Sequence, residues 1–198
     1  MGSMSLTDIR GIVTVPDAEM VPPPQLFLHE STLHGQAHVA RVLVHALRLL
    51  ETTGQEELTP QLWAAVYLHD VARRHDGVCR RHGRDAWARL AGLPLVEERL
   101  QRGGVALVDY PAIEYAVTVH SDGEPAASDP NYALAALLKD ADALDRVRLG
   151  DLDPGRLRHP EARAMVGFAR RLHGETDGMA VGPDYFARLW PRAMAMLG

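Results

Sequence analysis

Apolar residues recur at helical spacing along most of the chain. After Gly35 they occupy positions 39, 42, 43, 46, 47 and 50, which places them on one face of a helix, and Gly54 is a typical helix end. Thr59 and Pro60 suit the first turn of a second helix, whose pattern continues to about Arg74. The pattern therefore predicts two long helices in the first third of the chain.

The later part of the chain continues the helical pattern, and a proline stands near the start of most segments. The alternation typical of strands is weak, with 11–15 and 105–108 as the only candidates. The remaining predicted helices span 83–91, 95–101, 111–119, 130–148, 160–172 and 183–196. The sequence therefore predicts an all-α fold.

The first thirty residues form a different kind of segment. The run Val-Pro-Pro-Pro at 21–24 cannot continue a helix, so only one short helix is expected nearby, at 25–29. A chain of 198 residues, 46% of them hydrophobic, fits one domain with a sizeable core. We predict an irregular lead-in over 1–30 and a single helical bundle over 31–198.

Charge and cysteine content narrow the class of protein. A net charge of −5 argues against a dedicated nucleic-acid binder. Cys79 is the only cysteine, so no intrachain disulfide can form. No apolar run reaches the roughly 18 residues of a membrane-spanning helix, and the first residues lack the pattern of a secretory signal. We expect no membrane insertion and a cytoplasmic location, while the oligomeric state stays open.

The adjacent pair His69-Asp70 is the most informative polar feature. It follows the apolar run 62–68, which should be buried. A buried carboxylate without a partner is costly, because it loses its hydration. A divalent metal is one natural partner for an imidazole and a carboxylate together.

Four further residues are candidate metal ligands, on other predicted helices or directly beside them: His38, His82, His120 and Asp142. Each has an ordinary structural explanation as well, because a histidine among apolar residues is more often hydrogen-bonded in the core than bound to a metal. An acidic helix face is likewise usually solvated. The combination of histidines and aspartates on separate helices favours a metal site over these separate explanations.

Three motifs in this order resemble those of the HD-domain metal-dependent phosphohydrolase superfamily. The stretch His-Gly-Gln-Ala-His-Val-Ala-Arg-Val at 34–42 is similar to its opening motif, and Leu-His-Asp-Val-Ala-Arg at 68–73 to the motif that names it. Asp-Ala-Asp-Ala-Leu-Asp at 140–145 resembles its closing aspartate motif. The resemblance spans roughly residues 30–150 and implies an HD-domain helical bundle.

The resemblance also implies a ligand set. His38, His69, Asp70 and Asp142 would bind one divalent metal, with His34 and Asp140 as the alternative choices for the first and last of these. The extra histidines His82 and His120 are similar to those of the two-metal branch of the superfamily, in which Asp70 would bridge both ions. The alternative is a single ion, with His82 binding substrate phosphate or capping the following helix.

The function implied is hydrolysis of a phosphate ester or anhydride of a nucleotide or small phosphorylated metabolite by a metal-activated water. One or two ions of iron, manganese, cobalt, nickel or zinc suit these ligands. Asp70 and Arg73 are the candidate catalytic residues, and Arg73, Lys139 and Arg146 the candidate phosphate contacts. The alternative for Arg73 is an ion pair with a carboxylate such as Asp76.

Two other functions stay open at this point. Some HD-fold proteins are di-iron oxygenases with the same kind of ligand set, and a non-catalytic nucleotide-binding module is also possible. The residues do not identify the substrate, whose recognition we expect in the loops at 76–82, 121–130 and 149–159.

Overall fold

The regular elements of this protein are all helices over residues 15–197, the part of the chain that the computed structural model describes. Short 3-10 segments join several of them. The α-helices are α1 (Gln36–Thr53), α2 (Thr59–Leu68), α3 (His82–Leu90), α4 (Pro94–Arg102), α5 (Tyr110–Asp122), α6 (Tyr132–Leu144), α7 (Pro160–Ala164), α8 (Val166–Thr176) and α9 (Tyr185–Ala195).

Helix α1 is the central element. Its buried residues occur in an almost unbroken run from Gln36 to Leu50, so it is covered by other helices on nearly every side. Gly54 ends it in the left-handed conformation with φ 66°, and its N–H donates to the carbonyls of Leu50 and Glu51. Glycine adopts this conformation without the steric cost that a Cβ would bring.

Helices α1, α2, α5 and α6 pack against one another and enclose the main core. Helix α3 lies on α5, while α9 lies on α1 and also contacts α8. The buried apolar residues of these helices form one continuous cluster. This arrangement confirms the prediction of an all-α, single-domain bundle.

The helix ends differ from the sequence prediction at two functionally important places. Helix α2 ends at Leu68 instead of continuing to Arg74, and the N–H groups of Val71 and Arg73 donate to carbonyls three residues earlier. Such bonds tighten the backbone into a turn. His69 and Asp70 therefore lie at the end of α2, where the chain changes direction.

The predicted helix over 130–148 is also shorter. Helix α6 ends at Leu144 and is followed by a 3-10 segment, Asp145–Leu149, which Gly150 terminates in the left-handed conformation with φ 73°. Asp145 is fully buried there. The tighter winding brings its carboxylate against side chains of α1, a long-range contact that a periodic pattern does not report.

Other predicted segments shift more modestly. The segment predicted over 160–172 is divided between α7 and α8, with Met165 between them. The short helix near 25–29 is a 3-10 turn at Pro24–Leu26, and a 3-10 turn at Leu107–Asp109 occupies the candidate strand at 105–108. The other candidate strand lies, except for Val15, outside the described residues.

The described part of the lead-in packs on the bundle. Met20 and Val21 are buried, and the indole N–H of Trp63 donates to the carbonyl of Met20 at 3.0 Å. The amide of Gln36 donates to the carbonyl of Pro22 at 2.9 Å. The irregular backbone is thus held by side chains of α1 and α2. No helix among residues 15–197 combines the length and the apolar character needed to cross a membrane.

One buried histidine of α1 takes no part in the polar contacts around it. His45 is fully buried and packs edge-on against Phe168, and neither ring nitrogen has a hydrogen-bond partner among residues 15–197. Burial lowers the pKa of His45 from 6.5 to about 4, because charging the ring would cost its hydration. His45 is therefore neutral in the folded protein near pH 7.

We expect His45 to destabilise the protein in mild acid. Below pH 6.5 the unfolded chain takes up a proton at this ring, whereas the folded chain does not until the pH approaches 4. The free energy of unfolding should therefore fall through this window, by up to ~3 kcal/mol from this residue. Urea unfolding of His45→Leu across the same window should show a shallower pH dependence than the wild type. Equal slopes would contradict this prediction.

Candidate metal centre

The six predicted metal ligands come together at one place in the bundle. They lie on α1 (His38), in the turn after α2 (His69 and Asp70), at the start of α3 (His82) and near the ends of α5 (His120) and α6 (Asp142). Their ligand atoms form overlapping groups, each with its atoms within 4.8 Å of one another. Two of these groups, one around His38 and one around His82, together contain all six residues.

The first group consists of His38, His69 and Asp142, with one oxygen of Asp70 beside them. The Nε2 atom of His38 lies 3.2 Å from Nε2 of His69, 3.3 Å from Oδ1 of Asp142 and 3.3 Å from Oδ2 of Asp70. Nitrogen and oxygen ligands about 2 Å from a common ion are separated by such distances. The side chain of Asp142 is 32% exposed, so this group is reached from solvent on its side.

The second group consists of Asp70, His82 and His120. Oδ1 of Asp70 lies 3.0 Å from Nε2 of His82 and 3.9 Å from Nε2 of His120. The two Nε2 atoms are 2.8 Å apart. Asp70 thus turns one oxygen to each group, and its side chain is only 4% exposed.

Each of these histidines is held by its other ring nitrogen. Nδ1 of His69 donates to the carbonyl of Val66 at 2.7 Å, and those of His82 and His120 donate to the carbonyls of Cys79 and Val117. The Nδ1 proton is thereby engaged, and Nε2 turns its lone pair toward the group. Partners of this kind fix both the tautomer and the orientation of a metal-binding ring.

His38 differs, because a carboxylate holds its ring. Its Nδ1 donates to Oδ2 of Asp145 at 2.8 Å. Asp145 also accepts from Nε of Arg41 at 2.6 Å and from Nη2 of Arg41 at 3.0 Å, and Nη1 of Arg148 lies 3.4 Å away. Burial raises the pKa of Asp145, but the His38 hydrogen bond and the Arg41 charge outweigh it and hold the pKa well below its usual range.

The electrostatics of the first group favour charged carboxylates. Burial raises the pKa of Asp70 and Asp142, but the surrounding histidines, His69 foremost for Asp70 and His38 for Asp142, lower both well below the usual range. Burial lowers the pKa of His69 to about 3. Burial and Arg148 lower that of His38, but hydrogen bonds with Asp142, Asp145 and Asp70 outweigh them and raise it to about 9.

These donors fit a divalent cation. In the second group, the Nδ1–H groups of His82 and His120 donate hydrogen bonds to backbone carbonyls. Their Nε2 atoms therefore carry lone pairs, and these face each other across 2.8 Å. Two lone pairs at this distance repel unless a positive charge lies between or beside them. Ionised carboxylates and neutral imidazoles are the forms that bind metals, so a bound cation would replace the proton that the raised pKa of His38 keeps on its Nε2. The buried cluster can therefore hold a metal ion.

The three predicted phosphate contacts lie in different surroundings. Arg73 donates from Nε to Oδ1 of Asp70 at 2.9 Å and from Nη1 to the carbonyl of Gly77 at 3.1 Å, so it pairs with Asp70 rather than with Asp76. Its side chain is 16% exposed, next to the second group. Its role as a phosphate contact stays a prediction.

Lys139 and Arg146 are engaged elsewhere. The ammonium of Lys139 donates to the carbonyls of Val119, His120 and Gly123, which caps the C-terminal end of α5. It therefore holds the helix end that carries His120. Arg146 is exposed and pairs with Asp151. Contact of either residue with a substrate stays a prediction.

The two alternative ligands are separated by the fold. Nδ1 of His34 lies 2.9 Å from Oδ2 of Asp70, so His34 borders the first group and, with His38 and Asp70, forms a further group of potential ligands. Asp140 instead accepts from the backbone N–H groups of Arg158 and His159 and from the ring of His159. It fastens the loop after the 3-10 turn at Pro154–Arg156 and is outside the metal-binding groups.

Sequence reasoning missed Asp145 and Arg148 as residues of the centre. The signal for Asp145 was its place three residues after Asp142, which puts both on one side of a helical turn. Arg148 repeats that spacing and places Nη2 3.2 Å from Nδ1 of His34. In the sequence, Asp145 was only the last residue of the stretch similar to the closing motif, and Arg148 only the end of the predicted helix 130–148.

A cavity of about 930 Å³ lies beside the centre. Arg41 and Arg148 contribute to its wall, together with residues from the 24–37 segment and from 173–185. None of its lining residues belongs to the loops at 76–82, 121–130 and 149–159, in which substrate recognition is predicted. Segments from near both ends of the described chain thus contribute most of the lining of this cavity.

Comparisons with protein families, curated proteins and solved structures found no match to this chain.

Gly83 allows the close approach of α3 and α5. A Cβ atom at this position would lie 1.8 Å from the carbonyl oxygen of Val117, the acceptor for the His120 ring, and 3.0 Å from Cε1 of His120. A backbone carbonyl cannot yield as a flexible side chain would. The second group therefore depends on a residue without a side chain at 83.

We expect Gly83→Ala to force α3 and α5 apart and to lower the free energy of unfolding by ~1–3 kcal/mol, the usual cost of overpacking. The measurement is urea unfolding of the variant against the wild type. Gly92→Ala is the matched control, because a Cβ there meets no atom within 4 Å. Equal stabilities of the two variants would contradict the close-approach explanation.

Proposed function

We propose that this chain is a metal-dependent phosphohydrolase of the HD-domain type, acting on a nucleotide or another small phosphorylated metabolite. The observation that carries the proposal is the position of Asp70, whose two oxygens face two groups of inward-pointing imidazoles. The six predicted ligands, four histidines and two aspartates, also lie in one cluster. Beyond its ion pair with Arg73, this buried carboxylate faces imidazole nitrogens on both sides, an arrangement that a metal cation would stabilise.

In this proposal His38, His69, Asp70 and Asp142 hold one ion, and Asp70, His82 and His120 hold a second, with Asp70 as the bridge. Imidazole and carboxylate ligands suit iron, manganese, cobalt, nickel and zinc. Bound metal would lower the pKa of a water molecule and polarise a phosphoryl oxygen, which is the chemistry that phosphate hydrolysis needs at neutral pH.

The chain's own residues would orient the substrate. Arg73 uses Nε on Asp70 and Nη1 on Gly77, so its remaining N–H groups are available for phosphate oxygens. The partial exposure of Asp142 provides an approach from solvent to the first group. Asp70 thus has two roles in this proposal. It contributes one oxygen to each group, and it holds the guanidinium of Arg73 in place.

The test of this function is phosphate release by the purified protein supplied with Mn²⁺, Co²⁺ or Fe²⁺ under reducing conditions. A panel of nucleotides and sugar phosphates should contain at least one substrate. We expect Asp70→Ala to abolish release, because it removes the shared carboxylate, while the helical circular dichroism signal is retained. Glu98→Ala, which removes an exposed glutamate of α4 that pairs with Arg102, is the control and should keep full activity.

Three outcomes would contradict the proposal. They are absence of metal-dependent release across the panel, oxygen uptake by the iron-loaded protein on an organic substrate, and nucleotide binding without turnover. The second would indicate a di-iron oxygenase and the third a non-catalytic module. Activity of Asp70→Ala equal to that of the wild type would place the hydrolysis elsewhere.

Metal stoichiometry tests the role of the second group. We expect two ions per wild-type chain after equilibrium dialysis and elemental analysis, and one per chain in His120→Ala, because that variant keeps every residue of the first group. His75→Ala replaces an exposed histidine and should keep the wild-type stoichiometry. One ion in both the wild type and His120→Ala would assign His82 and His120 a role outside metal binding.

A further inference from the structure

Asp145 is a buried carboxylate that touches the centre without belonging to it. It begins the 3-10 segment after α6 and is fully buried. Its Oδ2 accepts from Nδ1 of His38, the ring nitrogen that faces away from the other ligand atoms. Asp145 is in none of the groups that could hold an ion. Any effect on a bound metal must therefore act through His38.

The surroundings of Asp145 allow it only to accept hydrogen bonds. Arg41 donates to both of its oxygens, at 2.6 and 3.0 Å, and Arg148 approaches Oδ2 at 3.4 Å. Arginine has donors and no acceptor. With this carboxylate fixed as an acceptor, one proton of the His38 ring is held on Nδ1, so Nε2, which faces His69, Asp70 and Asp142, is the nitrogen that would give up its proton to a metal.

We propose that Asp145 is a positioning residue, which sets the tautomer and orientation of His38 and thereby the metal affinity of the first group. The proposal rests on the metal centre of the proposed function. It distinguishes His38 from His69, His82 and His120, whose rings are held by backbone carbonyls within their own turn. Only the His38 ring is held by a side chain from another part of the chain, 107 residues away in sequence.

Replacement by asparagine separates this role from simple packing. An asparagine has nearly the same shape but offers one acceptor and one donor group. The two N–H groups of Arg41 compete for its single oxygen, so its NH₂ group is left facing Nδ1 of His38. A donor at that position favours the tautomer with the proton on Nε2, the atom that should bind the metal.

The experiment compares Asp145→Asn with the wild type in Co²⁺ and Zn²⁺ titrations against a chelating indicator dye. We expect the affinity of the first group to fall ~10–100-fold, as for other partners of metal-binding histidines, with the second group unchanged. The visible absorption of bound Co²⁺ should change at the first group alone. Long-range ¹H–¹⁵N NMR of the zinc-loaded wild type should show the His38 proton on Nδ1.

Asp140→Asn is the matched control. Asp140 is also a fully buried aspartate of the same helical segment with arginine and histidine partners, but it holds the loop at 158–159 instead of a ligand. This variant should lose thermal stability and keep the wild-type metal affinity. If both variants lose affinity equally, the effect is general destabilisation and the proposal is overturned.

Wild-type metal affinity in folded Asp145→Asn would also overturn the proposal. If that variant does not fold, Asp145→Glu decides, because it keeps the charge that Arg41 needs but displaces the carboxylate from Nδ1. A smaller, selective loss at the first group supports the positioning role, and unchanged affinity refutes it.

A wild type that binds metal but releases no phosphate contradicts the proposed function alone, whereas one that binds no metal refutes the positioning role too.

Discussion

The burial of the Asp70 carboxylate is the constraint around which this structure is organised. Removing a carboxylate from water costs several kcal/mol unless opposite charge or hydrogen-bond donors replace the water. Here the guanidinium of Arg73, in the turn after α2, donates to one oxygen, and imidazoles on α1, α3 and α5 surround both oxygens in an arrangement that a cation would stabilise. The helices of the central bundle must therefore meet at one point, and their packing and the polar cluster depend on each other.

The centre has an inner and an outer layer of contacts. The inner layer consists of Nε2 atoms and carboxylate oxygens that face one another, and the outer layer of the Nδ1 partners that hold the rings. Three of these outer partners are carbonyls three residues earlier in the chain, so they form as soon as the local backbone does. The fourth, Asp145, belongs to a network with Arg41 and Arg148 that joins the end of α6 to α1.

The sequence was sufficient to predict the helical class, most helix positions and the six residues that meet in the cluster. Apolar periodicity reports which face of a helix is buried, and the resemblance of three motifs to those of the HD-domain superfamily implied that His38, His69 and Asp142 would lie together, as they do. The end of α2 at Leu68 and the 3-10 segment after Leu144 were not predicted, because tertiary contacts of Asp70 and Asp145 accompany those turns. The capping role of Lys139 also needed coordinates, since its three acceptors are the carbonyl ends of another helix.

The separation of the cluster's parts along the chain has a consequence for its biosynthesis. His38 stands near the start of the described chain, whereas the aspartate that holds its ring follows 107 residues later. Domains emerge from the ribosome with the N-terminal part first. The nascent chain thus exposes His38 and the histidines of α3 and α5 before the two closing aspartates exist. Until α6 has been synthesised, those imidazoles form an incomplete set, and the full cluster that could hold a metal ion exists only in the finished fold.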